Sequence, residues 1–198
     1  VEAAEYATAE EERSSSVENF RNVAAMAQFQ IAKMCANGQG VPKDDEASSR
    51  WFRRAADQGH AAAAYHLGFS YEKGRGVPQD HAAAVRWFEV AAYLGSAEAQ
   101  SYLGTMYANG QGVPRNYIAA VRWFRLAADQ GDDIAQYNLG ISYYDGRGIP
   151  KDTIRAYAWF SLAAAQGYAD AKTILDTVET TMSAAQVDAA QTLAKELA

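Results

Sequence analysis

Apolar residues recur along this chain at spacings of three and four, the period of an α-helix that buries one face. Between residues 61 and 73 the apolar face carries Ala64, Leu67, Gly68 and Tyr71. A second stretch runs through a Trp-Phe pair and an Ala-Ala step to the next glycine. The pattern predicts two helices in this segment, which we call helix A and helix B.

Helix breakers and capping residues delimit these two helices. Gly74 supplies the left-handed residue that ends helix A without a steric penalty. Pro78 stiffens the Gly-x-Gly-Val-Pro loop, because proline fixes its own backbone and restricts the residue before it. A short polar side chain at the start of helix B then accepts a hydrogen bond from the first helical turn. We expect this capping role at Asp44, Asp80, Asn116 and Asp152.

The same pattern returns every 36 residues without an insertion. All four tryptophans keep this spacing, and a phenylalanine follows each of them. Gly-Val-Pro begins at residues 40, 76 and 112 and returns as Gly-Ile-Pro at residue 148. An uninterrupted period of this length is typical of stacked supersecondary units. The predicted repeats are residues 24–59, 60–95, 96–131 and 132–167.

Three of the predicted A helices contain an internal glycine, at residues 68, 104 and 140, where glycine costs about 1 kcal/mol relative to alanine. A cost repeated at one place needs a packing reason, and we expect that helix B crosses there with Ala91 or Ala127 opposite. The first repeat has Ala32 at this position. Cys35 aligns with a tyrosine of the other A helices, so we expect it to be buried in place of an aromatic ring.

The two ends of the chain depart from the repeat. Ser183 with Gln186 predicts a capping box before a last helix. We expect residues 168–198 to form C-terminal capping helices, since a solenoid must shield its last apolar face. For residues 1–23 we expect a helix to Arg13, a break at the three serines that follow, and a second helix from Val17 with Phe20 facing inward. This extension is either a helical cap or a linker.

Composition and charge restrict the function. The net charge of −6 lacks the electrostatic signature of nucleic-acid binding. No apolar run reaches the roughly 20 residues that cross a membrane. The chain has one cysteine, and its three histidines lack metal-ligand spacing. Its glycine loops continue into Val-Pro rather than Lys-Ser or Lys-Thr, so they are not phosphate loops. We therefore predict no catalytic residue, no metal and no cofactor.

The repeated residues resemble the Sel1-like repeat family, which is related to the tetratricopeptide repeats. The shared pattern is Ala-Gln-x-x-Leu-Gly-x-x-Tyr, Gly-x-Gly-Val-Pro-x-Asp and Ala-x-x-Trp-Phe-x-x-Ala-Ala-x-x-Gly, carried by residues 99–131 and 135–167. The resemblance implies an all-α, right-handed solenoid of antiparallel helix pairs whose concave surface is lined by the A helices. It also implies an adaptor or scaffold for protein complexes.

The resemblance also bears on the compartment and on catalysis. Many bacterial members of that family are exported and act in envelope signalling, secretion or contact with a host. The alanine-rich start, with Val1 rather than Met at the first position, leads us to expect that a targeting segment has been removed. A periplasmic or secreted bacterial protein is favoured, and a cytoplasmic one stays open. Some cysteine-rich relatives are linked to β-lactamase activity, but this chain lacks their cysteine pairs.

The predicted partner site is the face of each A helix that complements its inward face. In the second repeat this face falls at residues 62, 65, 66, 69, 72 and 73. It is rich in aromatic side chains, which commonly mark an interface; the alternative is that the rings pack against neighbouring repeats. The predicted site residues are Phe29, Gln30, Lys33, Tyr65, His66, Phe69, Tyr102, Thr105, Tyr137, Asn138, Ile141 and Tyr144.

The sequence thus predicts a non-enzymatic scaffold that binds a partner protein or peptide on a concave face, in bacterial envelope signalling or regulation. A monomer is favoured, with no nucleic-acid partner and no insertion into a membrane. The second interpretation is a module that stacks the same rings on peptidoglycan or another glycan. A β-lactamase-like hydrolase is a weaker third.

Overall fold

The computed structural model describes residues 2–198, with side chains from residue 15 onward. This part of the chain is helical and contains no strand. Its contacts divide it into two compact units, the first ending at Leu94 and the second beginning at Gly95. The helices of unit 1 are α1 (Glu2–Asn37), α2 (Asp45–Ala56), α3 (Ala61–Lys73) and α4 (His81–Tyr93). Those of unit 2 are α5 (Ala97–Asn109), α6 (Tyr117–Ala128), α7 (Asp133–Asp145), α8 (Thr153–Ala165), α9 (Ala169–Glu179) and α10 (Ala184–Leu197).

Unit 1 consists of two helix hairpins. Helix α1 packs on α2, α3 packs on α4, and α3 also packs on α2. Short connections make consecutive helices antiparallel neighbours. The buried side chains include Phe52, Leu67 and Phe88, together with several alanines that let the helices approach closely. The helices from α1 to α8 therefore alternate between helix A and helix B of the repeat.

Unit 2 repeats this arrangement and adds two helices. Its hairpins are α5 with α6 and α7 with α8, and α7 packs on α6. Helices α9 and α10 both pack against α8. The buried core includes Phe124, Leu139, Phe160 and Val178. The two units confirm the predicted fold class, an all-α helical repeat solenoid.

The predicted caps of helix B are confirmed. The side-chain oxygens of Asp44, Asp80, Asn116 and Asp152 each accept a hydrogen bond from the backbone N–H three residues later, at 2.8, 2.9, 3.0 and 3.0 Å. The backbone N–H of the same four residues donates to a carbonyl in the last turns of the preceding helix A. These bonds close the four loops from helix A to helix B in the same way, and so fix the positions of the side chains in these loops.

The glycines inside helix A have a packing reason, but the predicted partner was wrong. A Cβ atom at Gly68 would lie 2.8 Å from the ring of Phe88, and at Gly140 it would lie 2.5 Å from the ring of Phe160. Gly104 meets Phe124 in the same way. The phenylalanine of the Trp-Phe pair therefore occupies the space, rather than Ala91 or Ala127. A ring reaches further from helix B than a methyl group does, so it takes the crossing point.

Cys35 differs from its prediction as well. We expected a buried thiol, and the structure leaves Cys35 half-buried. Its tyrosine counterparts are not uniformly buried either, since Tyr71 is half-buried and Tyr143 is buried. Some of these hydroxyls reach a cation on helix B, as Tyr143 does with Arg125 at 2.8 Å. The position therefore lies at the edge of the core rather than inside it.

The N-terminal segment corrects two further predictions. The expected break at the three serines is absent, because α1 continues through them as one helix from Glu2 to Asn37. Serine costs a helix only a few tenths of a kcal/mol per residue, so three of them do not end it. Phe20 does not face inward: 78% of its surface is exposed. The segment before the first repeat therefore extends helix A, and the helix predicted as far as Arg13 is part of α1.

The C-terminal end follows the prediction of a capping box. The Ser183 hydroxyl accepts a hydrogen bond from the Gln186 backbone N–H, and the Gln186 side chain accepts one from the Ser183 backbone N–H. Helix α10 begins at this box and buries Ala190 against the core of unit 2. Its neighbour α9 buries Ala171 and Val178. Most of the remaining surface of these two helices is polar and exposed.

Candidate functional site

None of the twelve predicted site residues is buried, and most are only partly exposed. In unit 1, Gln30, Lys33 and His66 are exposed, while the three larger rings are half-buried. In unit 2, all six predicted residues are half-buried. The half-buried residues are Phe29, Tyr65, Phe69, Tyr102, Thr105, Tyr137, Asn138, Ile141 and Tyr144.

Several of the rings also pack within their own unit, as the alternative interpretation anticipated. Tyr65 and Phe69 meet edge to face at 4.9 Å, and both contact the ring of Phe88. In unit 2, Tyr137 lies 4.9 Å from Tyr168. Such pairs stabilise the helix surface in addition to any part in binding. The A-helix face is therefore a packed aromatic layer with an accessible outer side.

Unit 1 concentrates part of this face into a pocket between α1, α2 and α3. The cavity measures about 450 Å³. Three predicted residues line it: Lys33, His66 and Phe69. The other lining residues come from the end of α1, from α2, from the end of α3, and from the loops after α1 and α3; they are Ala36, Asn37, Lys43, Asp45, Ser48, Phe52, Ser70, Lys73 and Arg75.

The floor of the pocket is aromatic. The ring of His66 stacks on Phe52, with 5.0 Å between centroids and 11° between planes. Phe29 leans on both rings, at 5.7 and 5.8 Å. Lys33 extends over Phe29, with its ammonium 5.6 Å from the ring centre. This floor gives a ligand a flat apolar surface with a cation at its edge.

The rim of the pocket is basic. Lys33, Lys43, Lys73 and Arg75 are all exposed around the opening, against one lining carboxylate, Asp45. Lys73 forms an ion pair with Glu72 at 2.8 Å. Among the residues that the structure describes, the other three cations have no ion-pair partner. A chain with a net charge of −6 therefore carries a local excess of positive charge here.

The protonation of His66 responds to this environment. Burial of the ring lowers the pKa of His66 below 6.5, and the positive charges of Lys33 and His60 lower it further. Burial also lowers the pKa of His60, whose imidazole accepts a hydrogen bond from the Ala63 backbone N–H at 3.2 Å. Both histidines are therefore neutral at pH 7. A carboxylate placed beside His66 would reverse this bias and favour its protonated form.

A glycine in the loop after α3 brings Arg75 to the rim. Gly76 has a positive φ of 67°, and a Cβ atom there would lie 1.9 Å from the carbonyl oxygen of Asp45. The loop can lie directly on the first turn of α2 only because this residue lacks a side chain. The Ser49 hydroxyl donates a hydrogen bond to the Arg75 carbonyl at 2.9 Å and holds the loop in place. Arg75 thus reaches the pocket from a repeat later than Lys33.

Unit 2 contains the corresponding pocket between α5, α6 and α7, two repeats further along the chain. Its cavity is smaller, at about 230 Å³. Thr105 replaces Lys33, Asp145 replaces Lys73 and Tyr117 replaces Asp45. Arg147 is present where unit 1 has Arg75, but it pairs with Asp145 at 3.2 Å and lies over the ring of Tyr117. The positive charge of this pocket is therefore largely neutralised.

The predicted site residues include three of the twelve residues that line the unit 1 pocket: Lys33, His66 and Phe69. Position 73 was placed on the same predicted face, although Lys73 was not among the predicted site residues. The rim cations Lys43 and Arg75 were missed, because both belong to loops and the prediction followed only the helix face. A signal was available in the repeated Gly-x-Gly-Val-Pro loop between helix A and helix B. The hydrogen bond at the end of each such loop returns the chain to the last turns of helix A, and the loop side chains therefore lie near the predicted helix A face.

The chemistry of the pocket is that of a binding surface rather than of a metal centre or a membrane segment. No group of three or more histidine, cysteine, aspartate or glutamate side chains is arranged around a common point in the part of the chain whose side chains are described. Within that same part, no helix is long and apolar enough to cross a membrane. What the pocket offers is a surface for binding: an aromatic floor, exposed cations and a neutral imidazole.

The sequence of the helical repeats was compared with known families. The Sel1 repeat model matches four consecutive segments, residues 25–60, 61–96, 97–132 and 133–168. This chain belongs to the Sel1 repeat family. Each matched segment begins one residue later than the repeats predicted from the sequence. Sel1 repeats generally form non-enzymatic scaffolds for protein–protein interaction.

Solved structures resemble this Sel1 repeat chain over most of its length. A Sel1 repeat protein from Oxalobacter formigenes is 36% identical, with a TM-score of 0.73 over 76% of this chain and 62% of its own. A protective antigen present in uropathogenic Escherichia coli strains, displaying an SLR fold, is 45% identical, with a TM-score of 0.70 over 72% of this chain and 31% of its own. The Sel1 repeat chain thus spans less than two thirds of either relative.

A more distant likeness supports the fold alone. Helicobacter pylori cysteine rich protein B is 23% identical to this Sel1 repeat chain, with a TM-score of 0.54 over 67% of this chain and 96% of its own. No functionally curated protein matches the sequence. The comparisons therefore establish the repeat family and its general use as a scaffold, and the kind of partner has to be inferred from the pocket.

Proposed function

We propose that this chain is a non-enzymatic scaffold that binds an acidic segment of a partner protein in the unit 1 pocket. The observation that carries the proposal is the basic rim of Lys33, Lys43 and Arg75 in an otherwise acidic chain. Exposed cations without an ion-pair partner attract carboxylates and steer them during encounter. The carboxylates of an acidic segment would form ion pairs with these three cations.

The aromatic floor adds a second requirement for the ligand. Next to the cations lie the stacked rings of Phe52 and His66, with Phe69 at the side. Apolar or aromatic side chains gain contact area on such a surface at little entropic cost. The best ligand is therefore a peptide that alternates carboxylates with apolar rings. A pocket of this size with few anchors gives micromolar affinity rather than nanomolar.

We propose further that the chain acts in the bacterial envelope, as a periplasmic or secreted protein in signalling or regulation. The support is a relative: the 45% identical protein is a protective antigen of uropathogenic strains. This likeness is our reason for placing the chain outside the cytoplasm, where an antigen is accessible to antibodies. Fractionation of the native cells, with detection by antibody, tests this. Recovery of the protein in the cytoplasmic fraction alone would contradict it.

Calorimetric titration tests the pocket. The probe is a peptide of alternating glutamate and phenylalanine, and the same peptide with lysine for glutamate is the ligand control. The double variant Lys33→Glu with Arg75→Glu should lose at least tenfold in affinity, about 1.4 kcal/mol. The matched variant Thr105→Glu with Arg147→Glu changes the equivalent pocket of unit 2. It should bind the peptide as the wild type does.

Two outcomes contradict the proposal. The first is an unchanged affinity in the unit 1 variant, with the helical circular dichroism signal preserved in both proteins. The second is equal binding of the lysine peptide. Soluble peptidoglycan fragments are included as competitors, because a glycan would use the same rings without needing the cations. Peptidoglycan binding that survives the Lys33→Glu and Arg75→Glu changes would favour the glycan interpretation instead.

A further inference from the structure

Helix α1 carries a second apolar surface, separate from its buried positions Ala25 and Ala32. Val17, Phe20 and Ile31 belong to a set of six residues spaced alternately by three and four along the helix. This is the spacing of the a and d positions of a coiled-coil heptad. We call this set the α1 seam, and it spans about 26 Å at the helical rise of 1.5 Å per residue. Its members are Val17, Phe20, Ala24, Ala27, Ile31 and Met34.

The seam is exposed where later repeats bury the same positions. Ile31 is 37% exposed, whereas its counterparts Leu67 and Leu139 are fully buried. Ala27 is exposed, whereas Ala63 is buried. The cause is the repeat itself, because α3 packs on α2 and α7 packs on α6, so each of these A helices is covered by the helix B before it. No helix B packs on this face of α1 in the part of the chain that the structure describes.

The N-terminal half of the seam is more exposed still. Val17 is 60% exposed and Phe20 is 78% exposed. Every residue from 15 to 23 is exposed, so this part of the helix buries no side chain in its own chain. Helices gain most of their stability from packing an apolar face, and an unpacked extension is marginal in water. A continuous apolar seam on such an extension indicates an interaction surface.

We propose that the α1 seam pairs with the α1 seam of a second copy of this chain, with the two helices antiparallel. The order of side-chain sizes reads the same from both ends: large, large, small, small, large, large. Antiparallel pairing then sets Val17 against Met34 of the second copy, and Phe20 against Ile31. Ala24 meets Ala27 at the centre, where two small residues let the backbones approach. Such self-complementarity is what a twofold interface requires.

The residues that flank the seam do not oppose this pairing. Like charges beside a helix interface would repel a second copy. Only Arg21 is charged among them, and the others are polar or apolar. The flanking positions are Ser16, Arg21, Val23, Gln28, Gln30 and Cys35. The proposed dimer departs from the monomer favoured by the sequence, and it is independent of the unit 1 pocket.

Sedimentation or light-scattering measurement of the mass of the chain tests the proposal. The wild type should show about twice the mass of 21.5 kDa calculated for one chain. Phe20→Glu should shift the protein to the monomer, because a charge would enter the centre of an apolar contact. The fold should survive, since 78% of the surface of Phe20 is exposed, and the circular dichroism melting curve checks this.

Met26→Glu is the matched control. Met26 is on the same helix and is 60% exposed, but it lies off the seam. This variant should remain dimeric. A monomeric wild type would overturn the proposal and leave the seam to a different protein. A dimer that survives Phe20→Glu, or one that Met26→Glu dissociates equally, would also overturn it.

Disulfide trapping tests the antiparallel direction. Ala24→Cys and Ala27→Cys are made separately in a Cys35→Ser background, so that each chain has one thiol. A mixture of the two chains should crosslink faster than either chain alone, because residue 24 faces residue 27 of the second copy. Faster crosslinking of Ala24→Cys with itself would indicate parallel helices and would overturn the proposed arrangement.

Discussion

The pockets of units 1 and 2 are built from equivalent positions two repeats apart, and they differ in volume and in charge. Unit 1 has Lys33 and Lys73 where unit 2 has Thr105 and Asp145. The arginine that both share is unpaired among described residues in unit 1, whereas in unit 2 Arg147 is held by Asp145. The repeat thus preserves the position of the pocket and leaves its charge to a few outer side chains.

What the two units have in common is the helix crossing in the second hairpin of each unit, α3 with α4 and α7 with α8. In each, a glycine of helix A lies against a fully buried phenylalanine of helix B: Gly68 against Phe88, and Gly140 against Phe160. These residues cannot vary without moving a helix. The comparison therefore separates positions that hold the architecture from positions that are open to functional change.

The largest expected effect is on this shared crossing. Gly140→Ala should lower the free energy of unfolding by about 2 kcal/mol, because a Cβ atom 2.5 Å from the Phe160 ring forces the packed helices apart. That cost exceeds the roughly 1 kcal/mol gained in helix propensity. Gly68→Ala should cost somewhat less, since its closest ring atom is at 2.8 Å. Urea denaturation measures the stability of both variants. Unchanged midpoints would contradict the inference that these glycines are fixed by packing while the pocket residues can vary.

A graft should convert the unit 2 pocket into a copy of the unit 1 pocket. Thr105→Lys with Asp145→Lys restores two cations and releases Arg147 from its ion pair. Affinity of unit 2 for the glutamate–phenylalanine peptide should rise about tenfold, equivalent to 1.4 kcal/mol, and the binding stoichiometry should approach two. Thr105→Gln with Asp145→Gln is the control of similar size. A graft that binds no additional peptide would show that charge alone does not distinguish the pockets.

The smallest expected effect is a pH dependence confined to unit 1. The pKa values of His60 and His66 are lowered in the folded chain, so the unfolded chain, with a histidine pKa near 6.5, takes up protons first. The folded state should therefore lose stability as the pH falls below about 6.5, and the loss should end once the folded-state pKa values are passed.

Variants that carry the unit 2 residues test this pH effect. His60→Ser with His66→Asn introduces the residues found at positions 96 and 138, and the serine preserves a helix cap. Between about pH 7.5 and pH 5.5, the free energy of unfolding measured with urea should fall more in the wild type than in the variant. The difference between the two should be less than about 1 kcal/mol. Equal slopes in the two proteins would contradict the assignment.

The elements that sequence predicts well are those whose causes are local. The bounds of α3 and the four caps of helix B follow from a glycine, a proline and a short polar side chain placed within a few residues. The break predicted at the three serines of α1 also rested on local sequence, but it was wrong. Serines only weaken a helix slightly, and no glycine or proline stands nearby to stop it.

The candidate site shows where local reasoning ends. Lys33 lies on α1, and His66 and Phe69 lie on the equivalent face of α3, so helical periodicity and the 36-residue repeat predict them together. Arg75 joins them only because its loop lies on the first turn of another helix, and no periodicity in the sequence describes that approach. The phenylalanine against the helix A glycines was missed for a related reason, since the reach of a ring across a helix crossing is a tertiary property.

The close approach at Gly76 has a consequence for how binding could be lost. Any side chain there would collide with the Asp45 carbonyl and lift the loop from α2. The guanidinium of Arg75 would then leave the pocket although every charged residue remained in place. Gly76 has no side chain to contact a ligand, yet it determines the position of the Arg75 guanidinium. Substitutions at Gly76 would therefore abolish recognition in a protein that keeps all the cations of the pocket.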